Sequence, residues 1–215
     1  MPTAEHLDPA LIQAPPHQRF RVQAAFTDRV FVALKASIAH AGGNVQAIKV
    51  SRSTGTTATP AGALQRVFGG LRHQACLELG LPVLAVVEDD LPAQRALVEL
   101  EASNAEVSLF ERGSLYGSAL DAGLFPSTRR LADTLGRQLS EVATAVAAAR
   151  LPAELLDCLR DPRCLTPGIA KRLVSWVAAD PEGALRRARR VRAAGTRGDR
   201  QALRALLEVV PGGRT

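Results

Sequence analysis

The chain has 215 residues, of which 47% are hydrophobic and 22% are charged, as in soluble globular proteins with a packed core. These fractions exclude a disordered chain. Lysine and arginine (27) outnumber aspartate and glutamate (21), which favours a polyanionic partner. No apolar stretch approaches the roughly 20 residues that span a bilayer, and no signal-peptide pattern opens the chain, so we expect a cytoplasmic protein without a membrane partner. The three cysteines and four histidines show no metal-like spacing, so no metal site is predicted.

The first hundred residues mix predicted helices and strands. Residues 1–18 are rich in Pro, Ala and His without periodicity, which predicts a flexible arm. Apolar spacing then predicts, in chain order, a helix over 26–41 ending at Gly42, a strand over 45–50, a loop over 51–63, a strand over 64–68, a helix over 72–79, a buried strand over 81–87 and a helix over 91–100. Cys76 is expected in the core and His73 at the surface.

The rest of the chain reads as helical. Ser108 and Glu111 have the spacing of a capping box, which predicts that a helix begins there and continues to residue 122. Further amphipathic helices are expected in 151–159, 166–178 and 201–210, with Trp176 as a core residue. The helix over 201–210 is expected to supply a dimer contact.

Residues 125–151 carry a helix-turn-helix pattern. A short helix over 127–135 is followed by a turn at Gly136 and a longer helix that begins at Leu139. Glycine suits such a turn because it reaches positive φ without strain. An ordinary helical hairpin is the alternative. If the motif binds DNA, the candidate contacts are the polar and basic residues outside its apolar stripe: Thr128, Arg129, Arg130, Arg137, Gln138, Ser140, Glu141 and Thr144.

An arginine-rich segment lies between residues 184 and 204. It contains eight arginines and a single acid, Asp199, so its positive charges would repel one another unless a polyanion neutralised them. A solvated helix face is the alternative. We expect contacts to the DNA backbone from Arg186, Arg187 and Arg190.

Four blocks of the sequence carry a family resemblance. They are LKASIAHAGGNVQAIKV, GGLRHQACLELGLPVLAVV, EVSLFERGSLYGSALDAGLFPSTRRLADTLG, and LSEV followed by AAARLPAELL. In this order and spacing, the chain resembles the ParB/RepB family of plasmid and chromosome partition proteins over roughly residues 26–178. The resemblance implies an α+β chain: a small mixed α/β ParB/sulfiredoxin-like domain over 19–99, an all-α helix-turn-helix domain over 100–180 and a basic helical tail over 181–215.

The same resemblance implies a cytidine nucleotide site, with CTP and Mg²⁺ as cofactors. The family motif Gly-Glu-Arg-Arg-x-Arg-Ala aligns on residues 69–75, where one arginine remains as Arg72 while Leu71 and Gln74 replace two others. The second motif, Glu-Asn-x-x-Arg, aligns on residues 100–104 and is replaced throughout, whereas Gly-Asn-Val-Gln is intact over 43–46. The implied nucleotide-binding residues are Gln46, Gly69, Gly70 and Arg72.

These replacements leave two interpretations of the nucleotide site. In one, the site keeps its fold but neither binds nor hydrolyses a nucleotide, so the chain is not an enzyme and has no catalytic residues. In the other, Arg72 and the backbone N–H groups of the glycine turn still hold an anion.

The resemblance implies a sequence-specific DNA-binding protein. A homodimer would present two recognition helices to an inverted repeat, and the expected role is plasmid or integrative-element segregation, with nucleoid or plasmid association and a ParA-type ATPase as partner. Three other functions remain open. They are a CTP-dependent DNA clamp with CTPase activity, a transcriptional repressor that uses the same helix-turn-helix, and a non-catalytic adaptor that has lost both DNA binding and nucleotide hydrolysis.

Overall fold

The computed structural model of the protein describes residues 4–14, 23–55, 60–103, 107–195 and 198–208. The chain divides into two compact units. Unit 1 comprises Met1–Val107 and Ser118–Gly136, and unit 2 comprises Ser108–Gly117 and Arg137–Thr215. The predicted domain boundaries stay predictions.

A mixed sheet forms the centre of unit 1. Within the described residues it has five strands: β1 (Ala4–Leu7), β2 (Ile12–Gln13), β3 (Ile48–Arg52), β4 (Leu64–Phe68) and β5 (Val83–Asp89). Their order is β1-β5-β3-β4-β2. The central pair, β3 and β5, is parallel, whereas β1 pairs with β5 and β4 pairs with β3 in antiparallel fashion. The mixed α/β character predicted for this half of the chain is confirmed.

The flexible arm expected at the N-terminus is wrong for residues 4–14. Here β1 pairs with β5 from Ala4 opposite Val86 to Leu7 opposite Val83, and β2 runs parallel to β4. A 3₁₀ turn, Pro9–Leu11, connects the two strands, and the Asp8 carboxylate accepts from the Ala10 N–H at its start. The backbone hydrogen bonds of this segment come from distant strands, so local periodicity gave no sign of them. Residues 15–18 of the predicted arm lie outside the described residues.

In the part of unit 1 that the structure describes, three α-helices accompany the sheet: α1 (Arg29–Ala41), α2 (Gly70–Leu79) and α3 (Ala93–Ser103). Asp28 caps α1, and Gly42 ends it in the left-handed conformation, as the sequence predicted. Helices α1 and α2 pack together over the sheet, while α3 packs on β4. The core between α1, α2 and the sheet is aliphatic, and Cys76 is fully buried in it, as predicted. Its buried residues are Ile12, Phe31, Ile38, Ile48, Val50, Ala75, Cys76, Val83 and Ala85.

The strand and helix boundaries differ slightly from the predicted ones. β3 begins at Ile48 rather than at residue 45, because Asn44 turns back to donate to the Gln46 and Leu84 carbonyls, each at 2.9 Å. The Asn44 side-chain oxygen also accepts from the Leu84 N–H at 2.7 Å. One buried amide therefore joins the entry of β3 to β5, and β4 spans Leu64–Phe68 as predicted.

The second half of the described chain is helical throughout, which confirms the predicted fold class. Its helices are α4 (Leu109–Asp121), α5 (Thr128–Leu135), α6 (Leu139–Ala149), α7 (Ala153–Leu156), α8 (Pro167–Ala179), α9 (Pro181–Ala194) and α10 (Asp199–Leu207). The predicted capping box begins α4: the Glu111 N–H donates to Ser108 Oγ, and the Ser108 N–H donates to the Glu111 carboxylate, both at 3.2 Å.

Unit 2 has its own apolar core. Leu155, Leu173, Ala188 and Leu206 are among its most buried members, and Trp176 packs against this core as the sequence predicted. Helices α6 and α9 pack against α8, while α7 and α10 pack against α9. Among the described residues, the helices are too short or too polar to span a membrane.

The two helices and the turn of the predicted helix-turn-helix are present. Ser127 Oγ caps α5 by accepting from the Arg130 N–H at 3.2 Å, Gly136 ends α5 with φ of +63°, and α6 begins at Leu139. Helix α5 belongs to unit 1 and α6 to unit 2. That the pair binds DNA stays a prediction.

Candidate nucleic-acid interface and anion site

Helix α6 presents a polar surface built from four of the predicted DNA-binding residues. Gln138, Ser140 and Glu141 are exposed, and Thr144 is half-buried one turn further on. Gln138 is the N-cap of α6, and its carbonyl accepts from the N–H groups of Glu141 and Val142, so its side-chain amide is not used as a cap. The amide is therefore available for a ligand.

Thr144 uses its hydroxyl proton within α6. Its Oγ1 donates to the Ser140 carbonyl at 2.6 Å. The hydroxyl oxygen can still accept a hydrogen bond, and the methyl group remains for an apolar contact. Both abilities match groups on base edges in the major groove, namely amino donors and the thymine methyl group.

A concavity of about 240 Å³ lies beside α6, which we call the α6 pocket. Arg137, Ser140, Glu141 and Thr144 line one side of it. The other walls come from α4 and from the start of α8, and they contribute Leu109, Arg112, Tyr116, Pro167 and Lys171. Sequence reasoning missed Arg112 and Lys171, because their approach to α6 is a product of helix packing.

Close packing at Gly113 fixes α4 against α6. A Cβ at this position would lie 2.5 Å from the Ala145 carbonyl carbon, closer still to its oxygen, and 3.1 Å from the Ala149 Cβ. Only glycine lets the two backbones approach this closely. The polar residues of α6 therefore depend on a glycine in the neighbouring helix for their position.

The predicted residues of α5 are also accessible. Arg129 and Arg130 are exposed, and Thr128 is half-buried. Within the described residues, neither guanidinium has an ion-pair partner. The contribution of these three residues to DNA binding stays a prediction.

The arginines of α9 have different environments. Arg186 is exposed and pairs with Glu182 at 3.2 Å. Arg190 is exposed and has no ion pair with any described residue. Arg187 lies 5.0 Å from the centre of the Trp176 ring and donates to the Leu206 carbonyl at 3.0 Å and to the Glu208 carbonyl.

Arg187 therefore has a structural role that the sequence did not reveal: it caps the C-terminal carbonyls of α10. Internal partners also neutralise part of the arginine-rich segment. Arg192 pairs with Asp157 at 3.2 Å, and Arg204 pairs with Glu208 at 3.0 Å. The repulsion among these arginines is therefore weaker than the sequence suggested, because carboxylates outside the segment pair with some of them.

Unit 1 brings together the residues expected at the nucleotide site. Gln46 Oε1 accepts a hydrogen bond from the Arg72 guanidinium. Gly69, with φ of +90°, is the N-cap of α2, and no side chain caps this helix. A Cβ on Gly69 would lie 2.5 Å from Ile48 Cγ2, so the position requires glycine for its backbone conformation and for space.

Arg66 is a second cation at this end of α2 that the sequence analysis missed. A Cβ on Gly70 would be 3.5 Å from the Arg66 guanidinium carbon, so the guanidinium lies along the first turn of the helix. Burial lowers the pKa of Arg66. Arg66 therefore lies beside the first turn of α2, which no side chain caps, and Arg72 is a residue of the same turn.

His73 is buried, and the prediction of a surface residue is wrong. The Arg66 guanidinium lies 3.1 Å from His73 Nδ1, and the other ring nitrogen, Nε2, lies 2.8 Å from the Pro9 carbonyl. Since a guanidinium can only donate, Nδ1 accepts and the Nε2–H donates to Pro9. Burial lowers the pKa of His73, the Pro9 hydrogen bond opposes this effect and the charge of Arg66 adds to it, so the imidazole is neutral at pH 7. His73 is covered by the N-terminal segment, which the sequence had predicted to be a flexible arm.

The replaced motif residues have other roles in this fold. Leu71 packs against the core of unit 1, and Leu100 is buried. The Gln74 amide donates to Glu78 at 3.0 Å. Two positions at which the family pattern has charged side chains are therefore apolar and packed, which leaves Arg66, Arg72, Gln46 and the glycine turn as the polar groups of the site.

Comparison with known proteins gives structural matches only. No family model matches the chain, and no curated protein matches it. A structure of the C-terminally truncated chromosome-partitioning protein ParB from Caulobacter crescentus complexed to the centromeric parS site is similar over 94% of this chain and 96% of its own, with 20% identity and a TM-score of 0.47. The same truncated protein complexed with CTP-γ-S is similar over 88% of this chain and 98% of its own, with 24% identity and a TM-score of 0.38. Both TM-scores are below 0.5, so neither likeness assigns the chain a function.

Proposed function

We propose that this chain is a sequence-specific DNA-binding protein of the ParB partition type. It binds an inverted repeat as a homodimer and acts in plasmid or integrative-element segregation, with a ParA-type ATPase as partner. The observation that carries the DNA-binding part is the α6 pocket, where exposed polar residues of α6 lie beside Arg112, Arg137 and Lys171. The sequence blocks shared with the family support the partition role.

The side chains of α6 have the chemistry of base readers. The Gln138 amide can pair with adenine, the Glu141 carboxylate can accept from the cytosine amino group, and the Thr144 methyl group can contact thymine. Glu141 helps to distinguish base readout from phosphate binding, because its carboxylate would repel phosphates. Its presence on the exposed face of α6 favours base readout over binding to the backbone alone.

Substitutions on α6 test this assignment. We expect Gln138→Ala to weaken binding to the preferred DNA fragment by about 1–3 kcal/mol and to leave binding to random duplex unchanged. Fluorescence anisotropy on both duplexes at one fixed salt concentration measures the difference.

Thr144 has a matched control on α5. Thr134 Oγ1 donates to the Arg130 carbonyl at 2.8 Å, just as Thr144 Oγ1 donates to Ser140. Thr144→Ala and Thr134→Ala therefore lose the same intrahelical bond. We expect only Thr144→Ala to relax sequence preference, and equal effects of the two substitutions would refute base contact by Thr144.

We propose anion binding at α2 as a second function, with CTP and Mg²⁺ as the candidate ligand. It is supported by Arg66, Arg72 and the uncapped N–H groups after Gly69. Isothermal titration with CTP and Mg²⁺, alone and with DNA, tests it, and Arg72→Gln should abolish any binding detected. Arg52→Gln is a suitable control, because Arg52 is a half-exposed arginine of β3 that pairs with Glu5. Failure of the wild-type protein to bind the nucleotide would leave a static DNA-binding protein.

A further inference from the structure

Lys171 and Arg172 form an exposed basic ridge on α8, which the sequence analysis did not connect with DNA. Lys171 lines the α6 pocket and also a second concavity of about 530 Å³. Arg172 lines this second concavity and a third one of about 550 Å³. Since adjoining concavities share these residues, the α8 ridge joins the polar side of α6 to the surface formed by α10.

Positive charge dominates this surface along its whole length. Besides the ridge, Arg187 lines the second concavity, whose described lining residues include no carboxylate. The third concavity adds Arg200 and Arg204, with Glu208 as its acid. The cations that line these concavities therefore come from α8, α9 and α10 of unit 2.

The two ridge residues differ from two of the arginines around them in having no partner for their positive charge among the described residues. Those two arginines do have partners: Arg187 donates to backbone carbonyls and Arg204 pairs with Glu208. Within the described chain, Lys171, Arg172 and Arg200 have no carboxylate partner. Adjacent unpaired cations on a packed helix repel one another, and a regularly spaced polyanion relieves this repulsion.

We propose that Lys171 and Arg172 bind phosphates of the same DNA duplex whose bases α6 contacts. This inference rests on the proposed DNA-binding function. The ligand is a duplex backbone rather than a small anion because the cations follow three open concavities and do not surround one closed site. Arg200 extends the track on α10. The ridge contributes affinity and salt dependence, while α6 contributes sequence preference.

The test compares a double variant, Lys171→Gln with Arg172→Gln, with Arg189→Gln as a matched control. Arg189 is exposed on α9 and is two residues from Arg187, so it points about 160° away from the side of the helix that faces Trp176. Binding constants are measured over a salt series for the preferred duplex and for a random duplex of equal length.

We expect the double variant to bind both duplexes more weakly by the same factor. The slope of log K against log salt should fall by about 1.8, because each phosphate contact contributes about 0.9. The control should keep the wild-type slope. The charge-retaining double variant, Lys171→Arg with Arg172→Lys, should restore the slope and thereby exclude misfolding as the cause.

The outcomes separate the two proposals. If the wild-type protein shows no preference for any duplex, the proposed function fails. If it binds specifically and the Gln double variant keeps the wild-type slope, the inference about the ridge is overturned while the proposed function stands. A change in sequence preference without a change in slope would also overturn it, since the ridge would then read bases.

Discussion

Replacing Gly113 with alanine should separate α4 from α6. The added Cβ would lie 2.5 Å from the Ala145 carbonyl carbon, well inside van der Waals contact, and closer still to the oxygen. These are backbone atoms in the middle of a helix, so no side-chain rotation can relieve the overlap. Either α4 or α6 must shift, and the surface that contains Ser140 and Thr144 shifts with α6.

The magnitude follows from two opposing terms. Overpacking a close contact costs about 1–3 kcal/mol, and a rigid backbone partner places Gly113→Ala at the upper end. Alanine in place of glycine inside a helix stabilises it by about 1 kcal/mol. We therefore expect Gly113→Ala to lower the free energy of unfolding of unit 2 by about 2 kcal/mol.

Gly117 provides the matched control on the same helix. A Cβ there would meet only Arg150 Nε at 3.9 Å, which is an ordinary contact. Gly117→Ala retains the propensity gain without the clash, so it should raise the free energy of unfolding by up to about 1 kcal/mol. Glycine-to-alanine substitution is thus expected to lower the free energy of unfolding at Gly113 and to raise it at Gly117, one helical turn away.

Urea denaturation followed by tryptophan fluorescence is a suitable assay. Trp176 is the only tryptophan in the chain and packs against the core of unit 2, so its signal reports on that unit. Equal stability of the Gly113→Ala and Gly117→Ala proteins would refute the close approach of α4 and α6. The position of the α6 surface would then need a different physical cause.

Three further predictions concern contacts that the sequence did not reveal. Arg187→Ala should lower the free energy of unfolding by about 1.5–3 kcal/mol, because it removes charged hydrogen bonds to the end of α10, whereas Arg189→Ala should change it by less than about 0.5 kcal/mol in the same urea titration. Gly69→Ala should destabilise unit 1 by about 1–3 kcal/mol through backbone strain, and the clash of the added Cβ with Ile48 should increase this loss, as measured by circular dichroism. Gly123→Ala is the control, because Gly123 has φ of +69° and open space around it and should show the strain alone. Equal losses of stability in the two variants would contradict the clash. The pKa of His73 is lower in the folded protein than in the unfolded chain, so the unfolded chain binds the proton first as the pH falls. The free energy of unfolding should therefore decrease below about pH 6.5, by at most about 1.4 kcal/mol per pH unit. His73→Gln should reduce this pH dependence, and an unchanged dependence would refute the buried neutral imidazole.

Local signals in the sequence determined the element order and the ends of several helices. Ser127 and Gly136 delimit α5, the Ser108 and Glu111 pair begins α4, and Gly42 ends α1. A cap acts through hydrogen bonds between residues at most four apart, and a left-handed terminal glycine depends on its own φ. Such features can be read from a few neighbouring residues. The polar face of α6 could also be read in this way, since it follows from helical periodicity.

The tertiary structure alone decided which residues share a site. Residues 4–14 enter the sheet by pairing with strands far along the chain, and their arrival buries His73. Arg187 faces inward, although the sequence around it is a uniform run of arginines, because Trp176 and the end of α10 lie on that side. Lys171 reaches the pocket beside α6 only because α8 packs on α6. Each of these contacts joins residues that are distant in sequence, and no local pattern encodes such a contact because its free energy depends on both partners being brought together by the fold.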